Sequence, residues 1–571
     1  MSYVHKPHTK PLEHRTPFQL LDAHANAHPK KEAFVFRDET KNRTSLTFQE
    51  YESNSRLLAA ALLEIGLVRG DRVLLMLPSC IEFVIVHMAL NRIGANVLIV
   101  EEDAYPAVLG VVDLACVIAR NEIECPSANH DQVLENIQKI ASESLKAVLI
   151  VSPSAGPLQD FENVFIYKEL FQMAEAMVNW NEAVRRAEAA VQMDDPSFVV
   201  FTSGSTSIPK PIQYTNHGFV NGVLADASLM LMDENSIYFS DAPFDWVSGL
   251  CFSIGVVITM GSTLVVFPPK LTFEGRLVPT VMKIIEEEEC THAMILAYFF
   301  HDITMCNEIL DMNLSKLKVA ITGGQAATLS LMRTVFDRIP HLIINNIYGG
   351  TEMNMIANKL ITRENLDTMD PGLMEIVEGC EVKIVEENRN LAPLMTKGEL
   401  CVRASWVSFP MWDLLLSPEG KPTNTQTDAA KNGWHYTNDG ASLDENGKLR
   451  LQGRMDDMIK CATESIPPYE IESLLLDHPC VHKVCVVGIP DERLYEKMCA
   501  CVILKDGSDE NDHLTMKDEL DKYCSENCWL STVGLFWKPH YYIFVKEFPM
   551  TRTGKLSRKL TKEMAIKNFE L

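Results

Sequence analysis

The sequence lacks an excess of positive charge. Its 571 residues include 52 lysines and arginines against 77 aspartates and glutamates, which gives a formal net charge of −25 at pH 7. Proteins that coat nucleic acid or an anionic membrane need a positive surface. The composition therefore excludes both roles as the main function, and we expect no nucleic-acid partner. With 47% hydrophobic and 23% charged residues and no low-complexity segment, the chain is predicted to be globular rather than disordered.

Disulfide and metal frameworks are lacking as well. The 15 cysteines are odd in number and scattered, which favours free thiols in a reducing compartment. Cys499 with Cys501 and Cys524 with Cys528 form two local pairs, but neither has a CxxC spacing or a histidine placed for zinc. We therefore predict no metal at these cysteines, and a strand over 499–504 with the first two cysteines on one face.

An apolar leader is lacking at the start of the chain, because residues 1–14 are polar. We expect a cytoplasmic protein, with the mitochondrial matrix as the alternative. The longest uncharged run, 246–269, has the length of a membrane span. Three glycines interrupt the run, however. Residues 263–267, which are followed by two prolines, have the pattern of a strand. We predict a buried helix followed by a strand, and no membrane span.

Alternating apolar and helical segments predict an α/β fold. An apolar run at 72–77 has the length of a buried strand, 79–92 is helical in character, and 96–100 is the next apolar run. This order is typical of a β-α-β unit. A further strand is predicted at 197–201, after one long helix expected from about 169 to 192.

The pattern changes near Arg454. Beyond it, the predicted elements are a helix at 468–475 and strands at 484–487, 499–504 and 541–545. These elements predict a compact α+β unit. We therefore predict an N-terminal domain of residues 1–455 and a C-terminal domain of residues 456–571.

A polar loop follows the strand predicted at 197–201. It reads Thr202-Ser-Gly-Ser-Thr-Ser-Ile-Pro-Lys210. Small residues let backbone amides approach an anion, the hydroxyls add donors, and Lys210 adds a positive charge, so the loop suits a triphosphate. It is not a Walker A loop, because Pro209 precedes the lysine. A serine- and threonine-rich surface loop has the same composition, so the loop alone leaves both interpretations open.

Four later segments, taken with this loop in order, resemble the motifs of the adenylate-forming superfamily. The segments are Ile321-Thr-Gly-Gly-Gln-Ala326, Asn346-Ile-Tyr-Gly-Gly-Thr-Glu352, Trp434-His-Tyr-Thr-Asn-Asp439 with 453–460, and 549–558. Within that superfamily, the stretches 398–403 and 499–507 resemble most the medium-chain acyl-CoA synthetase branch. The resemblance implies a large N-terminal α/β domain with several sheets and a small, mobile α+β C-terminal domain. It also implies ATP, Mg²⁺ and CoA as cofactor and co-substrates.

The resemblance implies which residues bind ATP. The β- and γ-phosphates would lie against Thr202, Ser203, Gly204, Ser205, Thr206 and Lys210. Adenine would lie against Tyr348, Gly323, Gly324 and Gln325. Asp439 would accept both ribose hydroxyls with its two oxygens, and Arg454 would support the ribose or a phosphate.

The resemblance also implies catalytic roles. Thr351 would contact the α-phosphate and Glu352 would hold Mg²⁺. Lys555 would bridge the attacking carboxylate and the α-phosphate, where a cation stabilises the charge of the transferring group. Asp456 occupies the position about which the small domain would rotate.

Three residues are predicted to line the substrate pocket. Phe244 and Asp245 lie where many family members carry a histidine or aromatic residue beside the acyl group. Tyr298 and its neighbours are bulkier than the residues usual in the acyl tunnel. A shorter tunnel would favour a short, medium or aromatic acid.

Several positions depart from the family pattern. Ser207 and Pro211 replace glycines of the phosphate loop, while Thr463 and Ser465 alter a segment that faces CoA. Asn438 replaces the glycine before the ribose carboxylate, a mild change because asparagine tolerates the left-handed conformation. These departures argue against the half-reaction with CoA more than against adenylation.

The leading hypothesis is an enzyme that converts a carboxylic acid, ATP and CoA into acyl-CoA, AMP and pyrophosphate. One alternative is adenylation followed by transfer to another acceptor, as in luciferases or amide-forming enzymes. A second alternative is a paralogue that binds a nucleotide or acyl ligand without turnover.

Overall fold

The computed structural model combines helices and strands, which confirms the predicted mixed α/β class. It describes residues 1–40, 42–100, 108, 112–120, 145–152, 163–202, 210–268, 277–295, 297–323, 329–370, 372–411, 432–461, 464–505, 513–527, 529–530, 535–536, 538–550 and 556–569.

Helices cover the faces of the sheets. In chain order they are α1 Pro17–Ala27, α2 Phe48–Glu64, α3 Ile81–Arg92, α4 Tyr167–Ala176, α5 Trp180–Ala190, α6 Asn216–Leu229, α7 Val256–Met260, α8 Val278–Glu287, α9 Ala297–Met305, α10 Leu329–Arg338, α11 Pro468–Leu476, α12 His513–Asn527 and α13 Arg558–Asn568. Shorter helical turns are a π-helix at Ser248–Gly255 and 3-10 turns at Asn307–Asp311 and Met455–Asp457. Local sequence sets several of these ends. At the start of α2, for example, Thr47 and Glu50 each bond the other's backbone N–H, which satisfies two helix donors.

The largest sheet has a parallel part and an antiparallel part. Its strands are β1 Tyr3–His5, β2 Glu32–Arg37, β3 Arg43–Thr47, β11 Ile237–Ser240, β12 Thr263–Val266, β13 His292–Met294, β14 Val319–Gly323, β15 Ile343–Gly350, β16 Asn354–Ile361, β17 Leu373–Ile376, β18 Glu381–Val385, β19 Gly398–Arg403, β20 His435–Leu443 and β21 Leu449–Arg454. Among the described residues their order is β1-β18-β19-β20-β21-β17-β16-β15-β14-β13-β11-β12-β2-β3. Strands β2 and β11 to β15 run parallel to one another, whereas β3 pairs antiparallel with β2 and the strands from β16 onward pair antiparallel.

A second sheet is formed by seven strands in the described part of the chain. They are β4 Arg72–Met76, β5 Asn96–Ile99, β6 Cys116–Ala119, β7 Ala147–Ile150, β8 Val164–Ile166, β9 Pro196–Thr202 and β10 Lys210–Thr215, in the order β10-β9-β5-β4-β6-β7-β8. Strands β4 and β5 are parallel neighbours joined through α3. This arrangement is the predicted β-α-β unit.

The last fifth of the sequence adds a smaller sheet and one hairpin. Their strands are β22 Ile459–Cys461, β23 Glu464–Ile466, β24 Val481–Asp491, β25 Tyr495–Leu504, β26 Trp529–Leu530, β27 Leu535–Phe536 and β28 Tyr541–Phe544. The smaller sheet has the order β23-β22-β25-β24, with β28 paired to β25, and β26 pairs with β27. Cys499 and Cys501 both lie on β25 in the same buried cluster, as predicted for one face of a strand.

Two sheets sandwich a layer of helices. The main apolar cluster joins α1, α2, α3 and α6 to strands of both sheets, and a second cluster packs α8, α9 and α10 against the opposite face of the parallel strands. The central residues of β2, β11, β12 and β14 are mostly apolar and buried, as expected for strands that are covered on both faces. The carboxyl edge of the parallel strands carries the residues considered next.

Two expectations about helices have different outcomes. The run 246–269 forms helical turns over 248–260 and then β12, so the predicted helix and strand are confirmed. No described helix has the length and apolarity needed to cross a membrane. The single helix expected from 169 to 192 was wrong. Asn179 adopts φ +69° and separates α4 from α5, because asparagine enters the left-handed region more easily than most residues.

Candidate active site

Two predicted nucleotide-binding segments meet at the end of the parallel sheet. Gly323 ends β14, and Tyr348 lies near the end of the adjacent parallel strand β15. The carboxyl ends of neighbouring parallel strands share one edge, where ligands commonly bind in α/β folds. A Cβ on Gly323 would lie 2.9 Å from the carbonyl oxygen of Ile347, so the close approach of the two strands requires glycine.

A polar triad crosses from this edge to the antiparallel strands. The Tyr348 hydroxyl donates to Asp439 Oδ2 at 2.5 Å, and Arg454 Nη1 donates to Asp439 Oδ1 at 3.2 Å. Asp439 on β20 and Arg454 on β21 are directly paired across the sheet. The resemblance assigned these three residues to one nucleotide. They span 106 positions of the chain, and the fold brings them into contact.

The electrostatics of the triad keep the Tyr348 hydroxyl protonated. Burial, followed by the neighbouring Asp439 carboxylate, raises the pKa of Tyr348 well above its ordinary value. The phenol therefore stays a hydrogen-bond donor at neutral pH. Among the described residues each oxygen of Asp439 accepts from one donor, Tyr348 or Arg454, and it keeps a second lone pair. This geometry suits a carboxylate that also accepts two vicinal hydroxyls.

Thr351 and Glu352 follow β15 directly, in the turn that leads into β16. Their backbone is held by distant residues: the Tyr214 hydroxyl donates to the Thr351 carbonyl at 2.5 Å, and Ser408 N–H donates to the Glu352 carbonyl at 2.7 Å. Within the described ranges, no group donates a hydrogen bond to the Glu352 carboxylate. Hard carboxylate and hydroxyl oxygens are the donors that Mg²⁺ prefers, so Glu352 and Thr351 fit a magnesium-nucleotide complex.

The two ends of the predicted phosphate loop are held together. Thr202 ends β9 and Lys210 begins β10, and the two residues are paired across an antiparallel ladder. Lys210 is half-buried. Pro211 lies within β10 opposite Phe201, and its carbonyl accepts from Met411 N–H at 2.9 Å.

Several predicted site residues lie outside the described part of the chain. These are Ser203, Gly204, Ser205, Thr206, Gly324, Gln325 and Lys555, together with Ser207 and Thr463 and the side chains of Thr202, Tyr298 and Ser465. The flanks of Lys555 are described: Met550 and Leu556 form a β-bridge, and Ser557 N–H donates to the Pro549 carbonyl at 2.8 Å. The described residues on either side of 551–555 are therefore paired with each other.

His435 is a site residue that sequence reasoning missed. Burial lowers its pKa, the Glu352 and Asp439 carboxylates oppose that effect, and the Lys210 and Arg454 cations add to it. His435 therefore lies within electrostatic reach of all four predicted ligand-binding residues. Its place in the segment that ends at Asp439 was the available signal.

The predicted pocket residues occupy different environments. Phe244 is fully buried against Phe83 and Phe36, with ring centroids 5.4 and 6.3 Å away, and its N–H donates to Ser79 Oγ at 3.0 Å. Asp245 is only half-buried. Phe244 therefore belongs to the core between the sheets, and Asp245 lies nearer the surface.

The predicted hinge residue, Asp456, forms a hydrogen bond to β20, the strand that carries Asp439. Asp456 is exposed in the 3-10 turn after β21 and accepts a hydrogen bond from Asn438 Nδ2. Asn438 itself has φ +60°, the left-handed conformation expected where family members carry glycine. The hydrogen bond links the turn after Arg454 to the residue before Asp439.

A different cluster has metal-ligand chemistry but a simpler explanation. In the described chain, His478, Cys480 and Glu519 bring ligand atoms within 4.8 Å of one another. Cys480 N–H donates to His478 Nδ1 at 3.4 Å, and His478 Nε2 lies 3.4 Å from Glu519 Oε1. These contacts account for the cluster without a metal.

Comparison with known proteins agrees with these observations. Medium-chain acyl-CoA ligase ACSF2, mitochondrial, from Danio rerio is 26% identical over 604 residues, covering 100% of this chain and 91% of the relative. Putative acyl-CoA synthetase YngI from Bacillus subtilis is 26% identical over 584 residues, covering 98% and 99%. Both relatives are similar along nearly their whole length.

Solved structures show the same fold. The amide bond synthetase McbA from Marinactinospora thermotolerans superposes with a TM-score of 0.73 at 20% identity, covering 96% of this chain and 99% of that one. A benzoate CoA ligase from Burkholderia xenovorans superposes with a TM-score of 0.72 at 19% identity, covering 96% and 100%. The predicted adenylate-forming architecture with a large multi-sheet N-terminal part is therefore confirmed.

The family assignment rests on matches to two family models. The AMP-binding enzyme model matches residues 21–409, and the AMP-binding enzyme C-terminal domain matches residues 470–555. The first of these alone spans more than half of the chain and includes the edge that carries Gly323, Tyr348 and Glu352. The chain belongs to the AMP-binding enzyme family.

Proposed function

We propose that this protein activates a carboxylic acid with ATP and transfers it to CoA. In the first step a carboxylate oxygen attacks the α-phosphorus of ATP and pyrophosphate leaves. In the second step the sulfur of CoA attacks the acyl carbonyl, AMP leaves, and the thiol proton is released. The observation that carries this proposal is the contact among Tyr348, Asp439 and Arg454 beside the Thr351–Glu352 turn.

The nucleotide would bind across this group. The ribose hydroxyls would donate to Asp439, and adenine would lie against Tyr348 and the segment Gly323 to Gln325. Arg454 neutralises Asp439 and holds its orientation. A bound Mg²⁺ would neutralise phosphate charge, with Glu352 as its protein ligand and Thr351 near the α-phosphate. The residues of this chain thus orient the nucleotide, which is the larger part of catalysis in phosphoryl and adenylyl transfer.

Two further cations complete the proposed site. Lys210, held at the end of β10, and the loop 202–209 would contact the β- and γ-phosphates. Lys555 would lie between the acid and the α-phosphate. We expect Lys555→Ala to abolish acid-dependent pyrophosphate release, because the cation that offsets developing charge is lost. The variant should still form thioester from supplied acyl-adenylate, and wild-type pyrophosphate release by it would contradict the assigned role.

We also propose a division at residue 456, with domains 1–455 and 456–571 and Asp456 as the hinge. The family models support this division, since one ends at residue 409 and the other begins at 470. The Asn438–Asp456 hydrogen bond would have to open or move when the small domain rotates. Limited proteolysis with and without ATP should then cut near 456 at different rates.

The proposed acid is short, medium-chain or aromatic. The bulk of Tyr298 and its neighbours and the name of the medium-chain relatives support this choice, and Phe244 and Asp245 would border the acyl group. Highest turnover with acids longer than palmitate would contradict it. The cytoplasm is the proposed compartment, with the mitochondrial matrix as the alternative.

One experiment tests the function directly. Pyrophosphate release is measured over a panel of carboxylic acids, with and without CoA, and with Glu352→Gln as an inactive control. We expect acid-dependent release that CoA accelerates, with CoA consumed in equal amount. Release without CoA consumption would favour another acceptor, the role suggested by altered Thr463 and Ser465. ATP binding without release for any acid would favour the non-catalytic paralogue.

A further inference from the structure

A set of buried groups holds the backbone of the turn at Thr351 and Glu352. Four neighbouring main-chain groups each have a partner distant in sequence. The Thr351 carbonyl accepts from Tyr214 at 2.5 Å, the Glu352 carbonyl from Ser408 N–H at 2.7 Å, the Met353 carbonyl from Trp406 Nε1 at 3.1 Å, and Met355 N–H donates to Asp226 Oδ1 at 3.1 Å. Such a turn has few alternative conformations.

The residue within this turn, Asn354, is confined as well. It is fully buried with φ +52°. A Cβ on Gly349 would lie 2.0 Å from the Asn354 carbonyl oxygen, and a Cβ on Gly222 would lie 2.5 Å from Asn354 Nδ2. The backbone and side chain of Asn354 therefore fill the space that these two glycines leave open.

The hydrogen bonds of Tyr214 define how the Asn354 amide is oriented. Besides Thr351, the Tyr214 hydroxyl lies 2.9 Å from Asn354 Oδ1, while Asn354 Nδ2 lacks a partner among the described groups. One hydroxyl proton cannot fully serve two acceptors. Exchanging the amide oxygen and nitrogen lets Nδ2 donate to the Tyr214 oxygen, which donates in turn to Thr351. The exchanged amide oxygen then faces the Cys251 thiol, which also contacts Asn354.

Tyr214 connects two halves of the proposed nucleotide site. It lies on β10, four residues after Lys210, and its fully buried ring stacks on Phe198 of β9 at 4.8 Å. Its hydroxyl reaches a turn 137 residues later in the chain. Tyr214 therefore links the strand that follows the phosphate loop directly to the turn that carries Glu352.

We propose that Tyr214 is a positioning residue that aligns Thr351 and Glu352 with the strand of Lys210. The proposal rests on the proposed function, because these residues are taken to bind the nucleotide phosphates and Mg²⁺. The Glu352 carboxylate accepts no hydrogen bond from the described residues, so its location depends on its backbone. Removing the Tyr214 hydroxyl frees the Thr351 carbonyl and leaves the amide of Asn354 without its partner.

The test compares Tyr214→Phe with Tyr51→Phe. Tyr51 is also fully buried, and its hydroxyl lacks a partner in the described part of the chain. We measure the binding of ATP over a Mg²⁺ titration, pyrophosphate release, and thermal unfolding. We expect Tyr214→Phe to need more Mg²⁺ for nucleotide binding and to lower kcat about 10- to 100-fold, the effect of misplacing catalytic groups by roughly an ångström. KM for the acid and the circular dichroism spectrum should match the wild type, as should every property of Tyr51→Phe.

A second variant keeps the proposal testable if Tyr214→Phe does not fold. Asn354→Gly keeps access to the left-handed backbone and removes the amide, so it should change the Mg²⁺ dependence in the same direction. Unchanged Mg²⁺ dependence and kcat in either folded variant would overturn the proposal, as would an equal loss in Tyr51→Phe. A wild type that binds Mg·ATP but releases no pyrophosphate would refute the proposed function alone, and the binding titration would still decide the role of Tyr214. A wild type that binds no nucleotide would overturn both.

Discussion

Replacing Asp439, the carboxylate proposed to bind the ribose, is the most direct perturbation of the proposed nucleotide site. In Asp439→Asn, one acceptor oxygen becomes an NH₂ donor and the charge is lost. In the wild type, Tyr348 and Arg454 bond separate oxygens of Asp439 at 2.5 and 3.2 Å. The asparagine side chain keeps one acceptor oxygen for these two groups. The protein contact to Arg454 is weak because that arginine is 55% exposed. The main loss is therefore expected in the ligand complex.

The magnitude follows from the two ribose hydroxyls. A hydrogen bond to a charged acceptor contributes about 1.5–3 kcal/mol, against about 0.5–1.5 kcal/mol for a neutral one. Two such bonds weakened together give about 2–3 kcal/mol, or about 30- to 150-fold in Kd for ATP. The fold should persist, since the triad is at the surface edge of the sheet.

Calorimetry with ATP, 2′-deoxy-ATP and 3′-deoxy-ATP tests this reasoning. The wild type should prefer ATP over both deoxynucleotides, and Asp439→Asn should lose most of that preference. Asp367→Asn, which alters an exposed pair with Arg333, serves as the matched control. If Asp439→Asn bound ATP as tightly as the wild type, or kept the full preference for both hydroxyls, the assignment of Asp439 to the ribose would be wrong.

Two predictions concern stability. Burial lowers the pKa of His87 from 6.5 to about 4, so the unfolded chain takes up a proton before the folded one as pH falls. The free energy of unfolding therefore falls by about 3 kcal/mol between about pH 6.5 and about pH 4. Measured by urea unfolding, His87→Phe should lose less stability than the wild type over this range. An identical pH profile of the two proteins would contradict the prediction. Arg92 is fully buried and bonds Asp22 at 2.7 Å and Glu188 at 2.5 Å. Arg92→Met should lower the free energy of unfolding by about 3–5 kcal/mol in the same assay, because two carboxylates lose part of the positive charge that neutralises them. Arg186→Met, at an exposed pair, should lower it by under about 1 kcal/mol. Equal effects of the two substitutions would refute this reasoning.

Several parts of the site could be predicted because each lies within one short segment. Tyr348, Thr351 and Glu352 fall in seven consecutive residues from Asn346, and Asp439 closes the segment that begins at Trp434. The left-handed conformation of Asn438 agrees with the view that asparagine is a mild replacement for the family's glycine there. Strand and helix periodicity predicted the β-α-β unit and the division of 246–269, since buried parallel strands are short continuous apolar runs.

Other features could not be predicted from local patterns. The break at Asn179 was missed because helical periodicity continues on both sides of it. His435 was missed because its environment comes from Lys210, Glu352 and Arg454, which lie in other segments. Phe244 was predicted at the substrate pocket, and its packing on Phe36 and Phe83 depends on how the two sheets face each other across the helix layer.

The sequence by itself determined the elements and the chemical groups: which runs form strands, which loop has a composition suited to phosphates, and, through the family resemblance, which tyrosine and carboxylates are proposed to bind a nucleotide. Only the tertiary structure decided their relative positions. The Tyr348–Asp439 bond spans 91 residues and the Tyr214–Thr351 bond spans 137. Periodicity and turn chemistry act over a few residues, whereas such contacts arise when separate sheets bury their apolar faces together. The packing of those faces therefore decides which polar groups meet at the edge.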